Sequence, residues 1–224
     1  SGDAALRSYV TTNITTYEAI ANLLTYSSPI GVRVASGPDA GLTMAKPSYP
    51  EAYTMDNSEV YSGLKEFATL EASLGRVSQS GYYQGWATST KNTILSKLWD
   101  PATNTWEWVN GTPSTMTVFY ADAVAQIWPI LYGVVTPTSP QALAGWASFT
   151  TANPTWYVSM PIDYPWVSVT MVARMMGENA HADAYLTAIR SRFAPSWTLP
   201  TSCGAPPCGE WYDNEAGWFI LSSL

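Results

Sequence analysis

The sequence predicts an all-α fold, built as a toroid-like array of helical hairpins. The first observation is a recurring pattern: an aromatic or apolar residue, an acid, then a long apolar helical run. It occurs in YTMDNSEVYSGLKEFATLEASLG, VFYADAVAQIWPILYGV, PIDYPWVSVTMVARMMG and EWYDNEAGWFILSSL. Its acids, Asp56, Asp122, Asp163 and Asp213, stand 66, 41 and 50 residues apart, a period that two helices and their loops fill. The second observation is that more polar, amphipathic helices alternate with these runs. The third is that the acid-led runs are apolar nearly all round, and such a helix must be covered on every side. Hairpins arranged in a ring supply that cover, with inner helices lining the ring and outer ones wrapping it.

Each element has a local reason. ALRSYVTTNITTYEAIANLL gives one helix, either continuous or broken near Asn13. IGVRVAS, residues 30–36, alternates and is expected as a short strand. DNSE reads as a capping box, with Asp56 at the N-cap and Glu59 reaching back. GYYQGWATSTKNTILSKLW places Trp86, Ile94, Leu95, Leu98 and Trp99 near helical spacing. DPATN is a turn, and TWEWV after it is one arm of a hairpin. SPQALAGWASFTTA opens with a Ser cap and Pro at the first helical position. NAHADAYLTAIRSRF opens with an Asn cap and sets Ala182, Tyr185, Ile189 and Phe193 on one stripe. Pro and Gly cluster at 37–50, 135–140 and 194–209, which read as loops, so residues 1–224 are expected to form one domain. Ser1 is not a start Met, and a processed or N-terminally trimmed chain is expected.

Composition narrows the function classes. Charged residues make up 12% of the chain, about half the usual share, while Trp (11) and Tyr (14) are abundant. That suits an exported protein that handles neutral sugars, and it argues against disorder. The net charge of −7 and the lack of a basic cluster exclude a phosphate-neutralising surface, so no nucleic-acid partner is expected. No apolar stretch reaches the length of a membrane span. Cys203 and Cys208 in CGAPPC are expected to form a small disulfide loop, with two reduced thiols as the alternative. NIT at Asn13 and NGT at Asn110 are glycosylation sequons. A single histidine excludes a multi-His zinc site, and no metal or cofactor is expected. No G-x-S-x-G elbow, P-loop or strand-borne G-x-G-x-x-G is present. His181 itself reads as a solvated surface residue.

The stretches YTMDNSEVYSGL, LWDPATNTWEW, YADAVAQIWPILYG and WYDNEAGWFILSSL resemble the six-hairpin, (α/α)6-toroid superfamily of glycoside hydrolases and polysaccharide lyases. The resemblance is one of pattern and runs over roughly residues 50–224. About four of the six hairpins are present, so the chain reads as an incomplete ring that self-association or a second chain would complete. The resemblance implies a cleft where the inner helices begin. Asp56 and Glu59, Tyr120 and Asp122, Asp163, Tyr164 and Trp166, and Trp211, Tyr212, Asp213 and Glu215 stand at those starts.

Glycoside hydrolysis needs one protonated and one ionised carboxyl. Asp56 is the expected general acid, with Asp122 or Glu215 as base and Glu59, Asp163 and Asp213 in reserve. Tyr53, Tyr164, Trp166, Trp211 and Tyr212 are the expected sugar platforms. Gln126, one turn after Asp122, is expected on the same face as a further glycan contact. Each acid also has a plainer reading as a helix cap. Trp99, Trp128, Trp146 and Trp218 fall at helical spacing and read as core. Arginine stays out of the acid–aromatic clusters, which disfavours a Tyr-base lyase. The expected partner is an oligo- or polysaccharide, and the expected location is extracellular. Two other classes fit: a non-catalytic glycan-binding module, and a structural or assembly protein of the cell surface.

Overall fold

A computed structural model describes residues 3–158, 166–194 and 213–224, and helices make up most of it. The chain divides into two units. The first holds the described residues up to Pro113 together with Tyr132–Val134, and the second holds Ser114–Leu131 and the described residues from Val135 onward.

Three helices build the first unit: α1 (Ala4–Asn22), α2 (Thr54–Ser73) and α3 (Val77–Lys97). Helix α1 is one helix, as expected, and runs unbroken through Asn13, whose side chain donates to the Tyr9 carbonyl one turn back. A three-residue connection joins α2 to α3. Gly75 takes φ +79°, and the Arg76 and Gly75 amides return to the Glu71 and Ala72 carbonyls, a Schellman stop. The hairpin core is Leu64, Ala68, Tyr83, Ala87 and Ile94, all buried. Polar contacts clasp α1 to this hairpin. Glu18 accepts from Arg76 Nη2 at 2.5 Å and Gln79 Nε2 at 2.7 Å, while Arg76 Nε donates to the buried Glu71 at 2.6 Å. An apolar groove of ≈ 400 Å³ lies between α1 and α2, lined by Tyr17, Ile20, Leu64, Phe67 and Leu70.

IGVRVAS is not a strand. Arg33 makes only isolated bridges to Ser27 and Thr43, because its side chain turns inward. It is buried, donates to the Leu24 and Gly41 carbonyls, and lies 5.0 Å over the Trp86 ring. Burial pushes its guanidinium down to about 10. The expected hairpin does form: β1 (Trp99–Asp100) pairs antiparallel with β2 (Thr105–Trp106). Asp100 accepts from the Ala102 amide and the Thr103 hydroxyl across the turn, and Asn104 takes φ +57°.

In the second unit, VFYADAVAQIWPILYGV is not one long helix. A wide turn (Phe119–Ala123), a tight turn (Val124–Gln126) and the short α4 (Trp128–Leu131) replace it. Pro129 is the physical reason: it lacks the N–H that a continuous helix would donate to the Ala125 carbonyl, and it disfavours helical geometry just before it. Helix α5 (Pro140–Ala152) starts as expected, with Ser139 Oγ accepting from the Ala142 amide at 3.2 Å. Then follow α6 (Ser168–Met175), α7 (Asn179–Phe193) and α8 (Asp213–Ser223). The expected α7 stripe of Ala182, Tyr185, Ile189 and Phe193 is buried throughout. Helix α8 is not covered on every side. It packs on α6 and α7, and Ile220 and Leu221 face solvent at 62% and 52% exposure.

Candidate functional site at the start of α2

Non-local pairing sets where α2 begins. The Thr54 amide donates to the Trp108 carbonyl at 3.0 Å, and its hydroxyl donates to the Glu107 carbonyl. Tyr53 also bridges to Val109. The helix therefore starts at Thr54, with Tyr53 as an N-cap that offers no side-chain bond. Asp56 sits at the third helical position, so the capping box expected of DNSE does not form. Asn57 is wholly buried instead. Its Oδ1 accepts from the Thr43 amide at 2.8 Å and the Thr43 hydroxyl at 3.1 Å, and its Nδ2 donates to the Thr43 and Tyr53 carbonyls. All its bonding capacity goes to pinning the preceding loop against the helix start.

Asp56 is half-buried, and its carboxyl has no hydrogen bond from the described residues. Burial, and then the neighbouring charge of Glu59, push it up to about 6. Desolvation disfavours the anion, and here it outweighs the helix N-terminus, which favours one. Glu59, one turn on, is exposed and accepts from the Tyr132 hydroxyl at 3.4 Å.

Aromatic rings complete this site. Tyr53 lies 5.8 Å from Trp108 and 6.3 Å from Tyr49, centre to centre. The Tyr53 and Tyr49 hydroxyls share a hydrogen bond of 2.8 Å. That bond first, then burial and the charges of Tyr49, Glu51 and Asp56, push Tyr53 up to about 12. Asn57, Tyr49 and Trp108 escaped sequence reasoning. Asn57 stood in DNSE between the two acids, but its partner Thr43 lies in a loop with no readable pattern.

The other expected site residues belong to the second unit. Asp122 is buried, and its Oδ2 accepts from the Thr115 amide at 3.0 Å and the Thr115 hydroxyl at 2.9 Å. Gln126 donates to the Ser114 hydroxyl at 3.0 Å. The two side chains thus hold one segment, Ser114–Thr115, although the helix meant to align them is absent. Glu215 is buried, and its Oε2 accepts from the Val167 amide at 2.6 Å, joining α8 to the start of α6. Tyr185 is raised by its burial first and then by the charge of Glu215.

Tyr120 is exposed and stacks on Trp166 with 4.8 Å between ring centres and 23° between planes. Trp166 meets Trp128 and Phe119 at its edges and takes φ +45°, a left-handed backbone rare for a bulky residue. Trp128 and Trp146 are core, as expected, while Trp99 and Trp218 are half-buried. His181 is more than a solvated residue. Its Nδ1 pairs with Glu178 at 2.7 Å and its ring stacks on Tyr157 at 4.0 Å. Glu178 three residues before it was the readable signal. Asp163, Tyr164, Trp211, Tyr212, Cys203, Cys208 and the side chain of Asp213 lie outside the described residues.

Among the described residues no group of three His, Asp or Glu gathers to hold a metal ion, and no helix is long and apolar enough to cross a membrane. Compared with protein families, curated proteins and solved structures, the chain finds no match.

Proposed function

We propose that this is an exported carbohydrate-active protein, a glycoside hydrolase that attacks a neutral glycan from the start of α2. One observation carries the reading: Asp56 is a half-buried carboxyl with no hydrogen bond from the described residues, pushed up to about 6, with Glu59 one turn on. Such a group suits a general acid, which must hold its proton until the glycosidic oxygen leaves. Glu59 suits the anionic partner. Tyr49, Tyr53 and Trp108 offer ring faces to sugar C–H surfaces, and the Tyr53 phenol stays neutral and able to donate. The low charge of the chain favours an uncharged glycan. In this proposal the hairpins belong to a six-hairpin toroid that self-association or a second chain completes. The exposed Leu6, Tyr9, Ile220 and Leu221 favour such a contact.

A glycan-degradation screen with product chromatography tests it, run on the wild type, Asp56→Asn and Glu59→Gln. Products from the wild type, lost in Asp56→Asn, are expected. Glycan binding without products from any of the three would overturn the hydrolase. A second reading, a non-catalytic glycan-binding module, would then stand. The bonding of Asp122 and Glu215 to backbone amides favours that reading, because it gives those acids structural work. The exposed Tyr120 on Trp166 would be its platform.

A further inference from the structure

We infer that Asn110–Gly111 is a self-modification site, where the folded chain converts Asn110 through a succinimide into aspartate and isoaspartate. The two residues form the corner of a turn closed by the Thr112 amide on the Val109 carbonyl at 2.9 Å, with Gly111 at φ +79°. Gly111 and Thr112 are exposed, so water reaches the turn. The Gly111 N–H donates to Glu107 Oε2 at 2.6 Å. Asn110 Nδ2 donates to Asp39 Oδ1 at 2.6 Å and to the Pro38 carbonyl at 3.4 Å. A carboxylate therefore sits on the proton of the nitrogen that must attack, and a second one holds the nitrogen that must leave. Beyond the adjoining residues, nothing lies within 4 Å of where a Cβ on Gly111 would stand, and glycine itself has no side chain to crowd its amide nitrogen.

The step balances without an oxidant or a second reactant beyond water. Glu107 takes the Gly111 amide proton as Gly111 N bonds to Asn110 Cγ. The Cγ–Nδ2 bond breaks, and Nδ2 departs as ammonia with the proton that Glu107 returns through water. Water then opens the imide. Opening at Cγ leaves aspartate, and opening at the main-chain carbonyl of residue 110 leaves isoaspartate. Holding nucleophile, base and electrophile on one turn removes the entropic cost of bringing them together. The product places a carboxylate where an amide had donated to Asp39, so attraction between the turn and the 37–41 loop becomes repulsion. Isoaspartate also lengthens the backbone next to Val109, which pairs with Tyr53 at the start of α2.

The experiment incubates the wild type and Glu107→Gln at mildly alkaline pH, each both folded and in urea. Peptide mapping by mass spectrometry then separates asparagine, aspartate and isoaspartate. In the folded wild type, Asn110 should be the first asparagine converted. Glu107→Gln keeps an acceptor for the Gly111 amide but not a base, and it should slow conversion of the folded protein about tenfold or more. The two proteins should react alike in urea. Equal rates for the two folded proteins, or conversion of Asn110 only in urea, would overturn the inference.

Discussion

Replacing Asp56 with Asn should make the protein more stable at neutral pH while removing the glycan hydrolysis proposed for it. Asn has the shape of the protonated carboxyl and cannot ionise. Burial and the Glu59 charge lift the Asp56 carboxyl from 3.8 to about 6. Between those values the folded chain holds a proton that the unfolded chain releases. The folded state then binds more protons, so stability falls as pH rises through the window. At about 1.4 kcal/mol per pH unit the full gap is worth about 3 kcal/mol. The carboxyl is only half-buried, and solvent screening reduces this to about 1–1.5 kcal/mol. Asp56→Asn should therefore gain about 1–1.5 kcal/mol above pH 6, a melting-temperature rise of about 3–5 °C for a chain of this size. The gain should shrink as pH falls through about 6 and vanish below about 4. Urea titrations followed by Trp fluorescence across that range measure it directly. A variant that is destabilised at neutral pH, or a gain that does not change with pH, would refute the account of a desolvated carboxyl. Persistent product formation by the variant would separately refute its role as the acid.

Other residues make further tests. Arg76→Ala strips the buried Glu71 of its cation and should lower the urea midpoint of unfolding, with Arg76→Lys recovering part of the loss. Glu215→Gln weakens the bond to the Val167 amide and should cost about 1–2 kcal/mol, with faster hydrogen exchange at Val167 as its local sign. Tyr120→Ala should weaken oligosaccharide binding about tenfold, or about 1.4 kcal/mol by calorimetry, if its stack on Trp166 is a second platform. Unchanged affinity would count against that platform.

Local rules predicted the elements that local physics decides. Ser139–Pro140 starts α5 through a side chain three residues from its donor. The α7 stripe follows from helical spacing, and the DPATN turn closes through Asp100 within its own few residues. The start of α2 is a different case. DNSE carries a complete capping signal, yet Thr54 is fixed by carbonyls of residues 107 and 108, so the helix opens two residues before Asp56. Distant pairing outweighs a cap worth about 1 kcal/mol. In the 119–131 segment the apolar pattern signalled a helix while Pro129 forbade its continuity, and the proline prevailed.

The same logic divides the acids. Asp56, Asp122 and Glu215 are one residue class, each at the opening of an apolar run, and sequence ranks them alike. What separates them is whether a backbone N–H reaches the carboxylate. Thr115, 7 residues from Asp122, and Val167, 48 residues from Glu215, supply such donors. Among the described residues no donor reaches Asp56. A carboxylate that accepts from a backbone amide ties two segments together and serves the fold, whereas the desolvated Asp56 carboxyl is pushed up and can hold and give a proton. That distinction rests on loop paths that residue type and helical phase do not encode. It moves the expected chemistry from a pair shared among helix starts to the first turn of α2, where Glu59 is the acid nearest in sequence.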